Sequence, residues 1–175
     1  MILRCTKKLL EVIRAGPVTD PAPDADDWYA NLLWLNRRKC LLVTHAGTLF
    51  SVFEPDVRAA RLRDTQRLVT GLIERELQRE GLPPDTFGNL RGHDLVLAKT
   101  ADRSVLGCMN DMAFLCEAAL TDSGGLAHCD PGELNQALHR NINTPRGYCP
   151  PVELAAERVE RRDGSTGDPH AAQPV

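Results

Sequence analysis

The sequence predicts an α+β fold: a mainly antiparallel sheet of four to five strands covered by helices. Two patterns carry that prediction. Residues 28–53 hold three short runs rich in β-branched, aromatic and leucine residues, at 28–35, 40–44 and 48–53, with turn residues between them, as in an antiparallel meander. Residues 55–80 and 103–120 instead space their apolar side chains at the helical period, so helices there are expected to pack on the sheet.

Taken in order, residues 1–5 read as an opening strand. Thr6 is placed to cap a helix running through Arg14, with Leu9, Leu10 and Ile13 on its apolar face and Gly16-Pro17 as its stop. Residues 17–27 hold three Pro and four Asp, an extended acidic surface loop. In the first strand of the meander, Trp28, Ala30, Leu32 and Trp34 share one face, and Tyr29, Asn31, Leu33 and Leu35 the other. Both faces are largely apolar, which predicts a central strand with both tryptophans in the core. The turn at 36–39 sets Arg37, Arg38 and Lys39 at a hairpin tip. The turn at His45-Ala46-Gly47 suits a three-residue connection with Gly47 left-handed.

From 55 to 80, Val57, Leu62, Val69, Leu72, Ile73 and Leu77 form one stripe, and Gly81, Pro83 and Pro84 end it. Asp64 is spaced to pair with Arg61 and Arg67 on the helix surface. Residues 82–94 read as a loop, and 95–99 as a further core strand. The helix at 103–120 is expected to bury Val105, Met109, Met112, Cys116 and Leu120. Asp130-Pro131-Gly132-Glu133 is a strong helix start, and that helix should run to about Arg140 with Leu134 and Leu138 inward. A short amphipathic helix is expected from Val152 to Arg161. Residues 1–152 therefore make one domain, and 153–175 a short helix and a disordered tail.

Composition narrows the function classes. A 42% hydrophobic and 26% charged chain of net charge −3 is no bulk polyanion binder, though a local basic patch is compatible with it. No apolar run reaches membrane-span length, and Leu9-Leu10 is broken at Glu11, so no signal-peptide core is seen and the expected location is the cytoplasm. The six cysteines are expected to be reduced, with Cys40 and Cys116 acting as small core hydrophobes.

Chemistry is best placed at the strand-to-helix junction. A helix N-terminus offers unpaired N–H groups and the positive end of a dipole, and Lys99, Thr100, Arg103 and Ser104 would add side-chain donors for an anion. The stretch lacks the glycines of a nucleotide-binding phosphate loop, and Thr100 or Asp102 as a plain helix cap is the competing reading. A second surface would join Arg37, Arg38 and Lys39 to Arg4 and Lys7, with Arg61 or Arg63 beside them, as a contact for a protein, a phosphate-bearing ligand or nucleic acid. The His and Cys residues of the second half include no close Cys-x-x-Cys pair, and the sequence indicates neither a metal nor a cofactor. Asn110-Asp111 are the polar pair of an otherwise apolar helix and would need partners if buried.

Several blocks resemble one family in the same order: Arg4-Cys5-Thr6-Lys7-Lys8-Leu9-Leu10; Trp28-Tyr29-Ala30-Asn31-Leu32-Leu33-Trp34 with Arg37-Arg38-Lys39-Cys40-Leu41-Leu42; Thr48-Leu49-Phe50-Ser51-Val52; and Ala98-Lys99-Thr100 through Arg103-Ser104-Val105-Leu106-Gly107 to Met109-Asn110-Asp111. The similarity is to a family of small uncharacterised bacterial proteins and covers about residues 1–150. It implies a bacterial cytoplasmic α+β domain and assigns no catalytic residue. The expected function is therefore a non-catalytic binding or regulatory module with an anion-binding helix N-terminus. The alternative is a small enzyme on a phosphorylated or nucleic-acid substrate, with Lys99 and Arg103 as electrostatic stabilisers.

Overall fold

The computed structural model describes residues 1–142 and 147–165. Five strands form one sheet: β1 (Ile2–Cys5), β2 (Trp28–Leu35), β3 (Arg38–His45), β4 (Ser51–Glu54) and β5 (Val96–Lys99), in the order β4-β3-β2-β1-β5. Six helices accompany them among the described residues: α1 (Lys7–Ile13), α2 (Ala59–Arg63), α3 (Thr65–Arg79), α4 (Arg103–Asp122), α5 (Pro131–Arg140) and α6 (Pro151–Ser165). The α+β class is as expected. The meander is present: β2 pairs antiparallel with β3 from Trp28–His45 to Leu35–Arg38, and β3 with β4 from Leu41–Glu54 to Thr44–Ser51. The sheet as a whole is mixed, because β1 lies parallel to both β2 and β5, with Cys5 opposite Ala30 on one side and Lys99 on the other. Parallel neighbours need a crossover, and α1 with the acidic loop provides one.

Successive side chains of a strand point to opposite faces, so an apolar central strand builds two cores. Trp28, Ala30 and Leu32 face α1 and α3 with Val43 and Val52. Tyr29 and Leu35 face α4 and α5 with Leu42 and Phe53. Trp28 and Tyr29 are fully buried, and truncating a buried aromatic of this size typically costs about 3–5 kcal/mol.

Several local expectations change in the structure. The helix expected at 55–80 splits at Asp64 (φ −90°, ψ 57°) into α2 and α3. There the Thr65 hydroxyl donates to the Leu62 carbonyl at 2.6 Å, a side-chain competitor to the helical ladder. Arg61 pairs with Glu54 at 3.1 Å rather than with Asp64. Thr6 starts α1 without a side-chain cap, its hydroxyl turning instead to Asn31 at 3.2 Å. The stop is Arg14, left-handed at φ 55°, not Gly16; the Ala15 N–H reaches the Leu10 carbonyl at 3.0 Å. In the β3–β4 turn the left-handed residue is Leu49 (φ 59°). Gly47 is needed for a different reason: a Cβ there would sit 2.8 Å from the Ala25 carbonyl oxygen. β5 is an edge strand rather than a core strand; Ala98 is buried and Val96 is exposed.

α4 buries the five side chains expected of it, and α5 begins at Asp130-Pro131 as expected, with the Asp130 carboxylate accepting from the Gly132 N–H at 2.7 Å. α6 runs longer than 152–161 and seats Ala155 in the first core. Of the expected tail, residues 166–175 lie outside the described residues, as do 143–146 of the preceding turn-rich stretch.

Candidate functional site

β1, β2 and β5 all end on the same side of the sheet. From there α1 leaves β1 for the first core and α4 leaves β5 for the second. The carboxyl ends of parallel strands, where successive helices depart to opposite faces, are where open sheets commonly meet ligands. The chain places cations at each of these ends: Lys7 and Lys8 after β1, Arg37 and Arg38 after β2, Lys99 and Arg103 around the end of β5.

Trp34 is the centre of this region. β1 stops opposite Ala30 while β2 runs on to Leu35, so the last residues of β2 lose their neighbour on that side. Trp28 is buried at 1% exposure as expected, but Trp34 is 53% exposed, which corrects the expectation that both tryptophans lie in the core. Two ammonium groups lie close to its ring: Lys8 Nζ is 5.6 Å and Lys39 Nζ 5.4 Å from the ring centroid. Lys39 is its cross-strand partner, and Lys8 comes from the first turn of α1. Such contacts are worth about 0.5–1 kcal/mol at an exposed ring. Just beyond, Asn36 (φ 47°) and Arg37 (φ 62°) are consecutive left-handed residues, the geometry of a tight hairpin turn that favours Asn-Gly. Arg37 is exposed, and Arg38 meets exposed Asp56 at 3.6 Å. Lys7 is exposed on α1.

Arg4 is not part of this surface. Its side chain is fully buried and holds the acidic loop down. Nε donates to Asp27 at 2.5 Å, Nη1 to the Lys99 carbonyl at 3.1 Å, and Nη2 to the carbonyls of Pro21 and Ala22 at 2.8 Å each. The guanidinium has enough donors to satisfy an ion pair and three carbonyls at once, which a lysine could not do in plane. Spacing in the sequence associates Arg4 with Lys7, but strand alternation turns it inward.

At the 99–104 junction, Lys99, Arg103 and Ser104 are exposed and Thr100 is half-buried. Asp102 is the cap: its carboxylate accepts from the N–H of Ser104 at 2.7 Å and of Val105 at 3.3 Å. The Asp102 N–H itself donates to the Tyr29 hydroxyl at 3.1 Å. The Ser104 and Val105 N–H groups are thus engaged, and an anion here would meet the side chains of Lys99 and Arg103. Asn110 and Asp111 face solvent.

Burial pushes the Cys5 and Cys116 thiols up to about 12 and raises Cys40 as well, so these groups stay protonated and core-like. Among the described residues no cysteine is joined in a disulfide. Among the described residues no three His, Cys, Asp or Glu side chains converge as a metal site would require. His45 is buried in the β3–β4 turn, where its Nδ1 accepts from the Thr48 N–H at 3.2 Å. Lys8 and Trp34 are the site residues that reading the sequence missed; the signal available was a tryptophan one residue from a strand end, opposite a lysine.

A protein-family model described as Domain of unknown function (DUF6933) matches residues 2–154, and the chain belongs to that family. Comparison with curated proteins and with solved structures returned no match.

Proposed function

We propose that this member of the DUF6933 family is a non-catalytic binding module that takes a phosphate-bearing ligand on the basic end of its sheet. The observation that carries the reading is Trp34, exposed and flanked by Lys8 and Lys39. An aromatic ring beside two cations suits a ligand with both a planar part and a negative charge. Arg37 and Arg38 extend the charge along the hairpin, and Lys7, Lys99 and Arg103, with Thr100 and Ser104, continue it at the ends of β1 and β5. The bacterial, cytoplasmic setting of the reading rests on the sequence resemblance. Among the described residues no helix is long and apolar enough to cross a membrane.

The two tryptophans make the test direct, since Trp28 is buried and Trp34 is not. Inorganic polyphosphate and a single-stranded oligonucleotide are titrated at low ionic strength while tryptophan emission and its acrylamide quenching are followed. Binding should protect Trp34, weaken with salt, and fall about tenfold in Lys8→Ala/Lys39→Ala with little loss of stability. Emission and quenching unchanged at saturating concentrations of both probes would remove the reading.

A further inference from the structure

The outer side of α3 carries two grooves that run into each other. One of about 460 Å³ is lined by Arg61, Arg67 and Arg75 together with Asp64, Leu68 and Leu72. The other, about 680 Å³, extends toward Leu82 and Pro84, and past Glu74, whose carboxylate accepts from Arg91 Nε at 2.6 Å. They share Gly71 and Arg75.

Gly71 lies in the interior of a 15-residue helix, where glycine is less favourable than any residue except proline. Among the described residues nothing requires it there. A Cβ built on Gly71 meets no atom within 4 Å, and its backbone is not left-handed. What the glycine leaves is room at the junction of the two grooves. Two of the arginines around that room, Arg61 and Arg75, are held by carboxylates. Glu54, with its side chain 11% exposed, accepts from Arg61 Nη1 at 3.1 Å and from Arg75 Nη2 at 3.0 Å. Arg75 Nε also donates to fully buried Glu76 at 2.8 Å. Carboxylates placed behind guanidiniums orient them for another anion, as outer partners orient metal ligands.

We propose that this groove is a second binding site, for a small organic anion. A carboxylate or phosphate-ester head sits among Arg61, Arg67 and Arg75, and an apolar body lies over Gly71 toward Leu82. Guanidinium forks match the planar or tetrahedral oxygens of either head group.

The test uses the full chain with phenyl phosphate and hexanoate as probes, and inorganic phosphate and benzyl alcohol as controls, followed by amide NMR. One or both organic anions should shift the Gly71 amide saturably, and at least tenfold more tightly than either control. Comparing the two anions identifies the preferred head group. Arg67→Ala should weaken binding about tenfold. Gly71→Ala should raise the melting temperature by about 2–4 °C while weakening binding at least tenfold, a combination that a purely structural glycine would not give. The proposal is overturned if inorganic phosphate binds as well as the organic anions, if neither organic anion perturbs Gly71, or if Gly71→Ala binds like the parent. Trp34 takes no part in this experiment, so its outcome is separate from that of the basic end of the sheet.

Discussion

Asn135 meets Phe53 as a neighbouring strand would. Its Oδ1 accepts the Phe53 N–H at 2.7 Å, and its Nδ2 donates to the Phe53 carbonyl at 3.1 Å. β4 is the edge of the sheet, and an open edge is a row of unpaired donors and acceptors. One turn further along α5, His139 Nε2 meets the Ser51 carbonyl at 2.8 Å, and the His139 ring stacks on Phe50 with centroids 4.0 Å apart. α5 therefore closes the edge with side chains in place of a sixth strand. Asn135→Leu should strand two buried backbone groups and cost roughly 2–4 kcal/mol in urea unfolding. Asn135→Asp should not rescue it, because a carboxylate would then face the Phe53 carbonyl.

The burial of Arg4 against Asp27 leads to a second expectation. Arg4→Met leaves the Asp27 carboxylate in the interior without its cation, and breaking a buried pair in this way costs about 3–5 kcal/mol. The acidic loop at 17–27 should become the first site of limited proteolysis. Arg4→Met/Asp27→Leu should lose less than the two single changes summed, and a strictly additive double-mutant cycle would count against the pairing.

Arg37 sits left-handed at φ 62° where glycine would be unstrained. Arg37→Gly should stabilise the hairpin by about 1 kcal/mol in thermal or urea unfolding. The same change should weaken polyphosphate binding and lower its salt dependence. A loss of stability would show that the Arg37 side chain supports the fold.

Acid should unfold the protein partly through Glu80. Burial by itself would raise its carboxyl, but the Arg140 guanidinium at 2.8 and 2.9 Å and the His139 contact at 2.9 Å outweigh that and hold it below the usual 4.5. Its folded pKa is below the unfolded one, so its contribution is complete above about 4.5 and is lost as pH falls through the folded value. His139 adds to this with the same sign. Burial lowers it against the opposing pull of Glu80, so its contribution starts to fall away below about 6.5. Stability measured from pH 7 to pH 3 should decline in both windows, and Glu80→Gln should flatten the lower one.

The meander, the apolar stripes of α3 and α4, and the Asp130-Pro131 start of α5 were legible in the sequence, because each is written in local spacing and turn chemistry. The order of the strands was not, since β1 and β5 lie side by side although more than ninety residues of chain separate Cys5 from its partner Lys99, and nothing local records that pairing. The same limit applies to the cations. Lys99, Arg103, Arg37 and Arg38 reach the surface as their spacing suggests, whereas Arg4 turns inward on a carboxylate and three carbonyls. Trp28 and Trp34 share one face of one strand in the sequence, yet only the first is covered, because covering depends on how far the helix layer reaches along that face. Periodicity determines which face a side chain takes; only the assembled sheet decides whether anything lies against it.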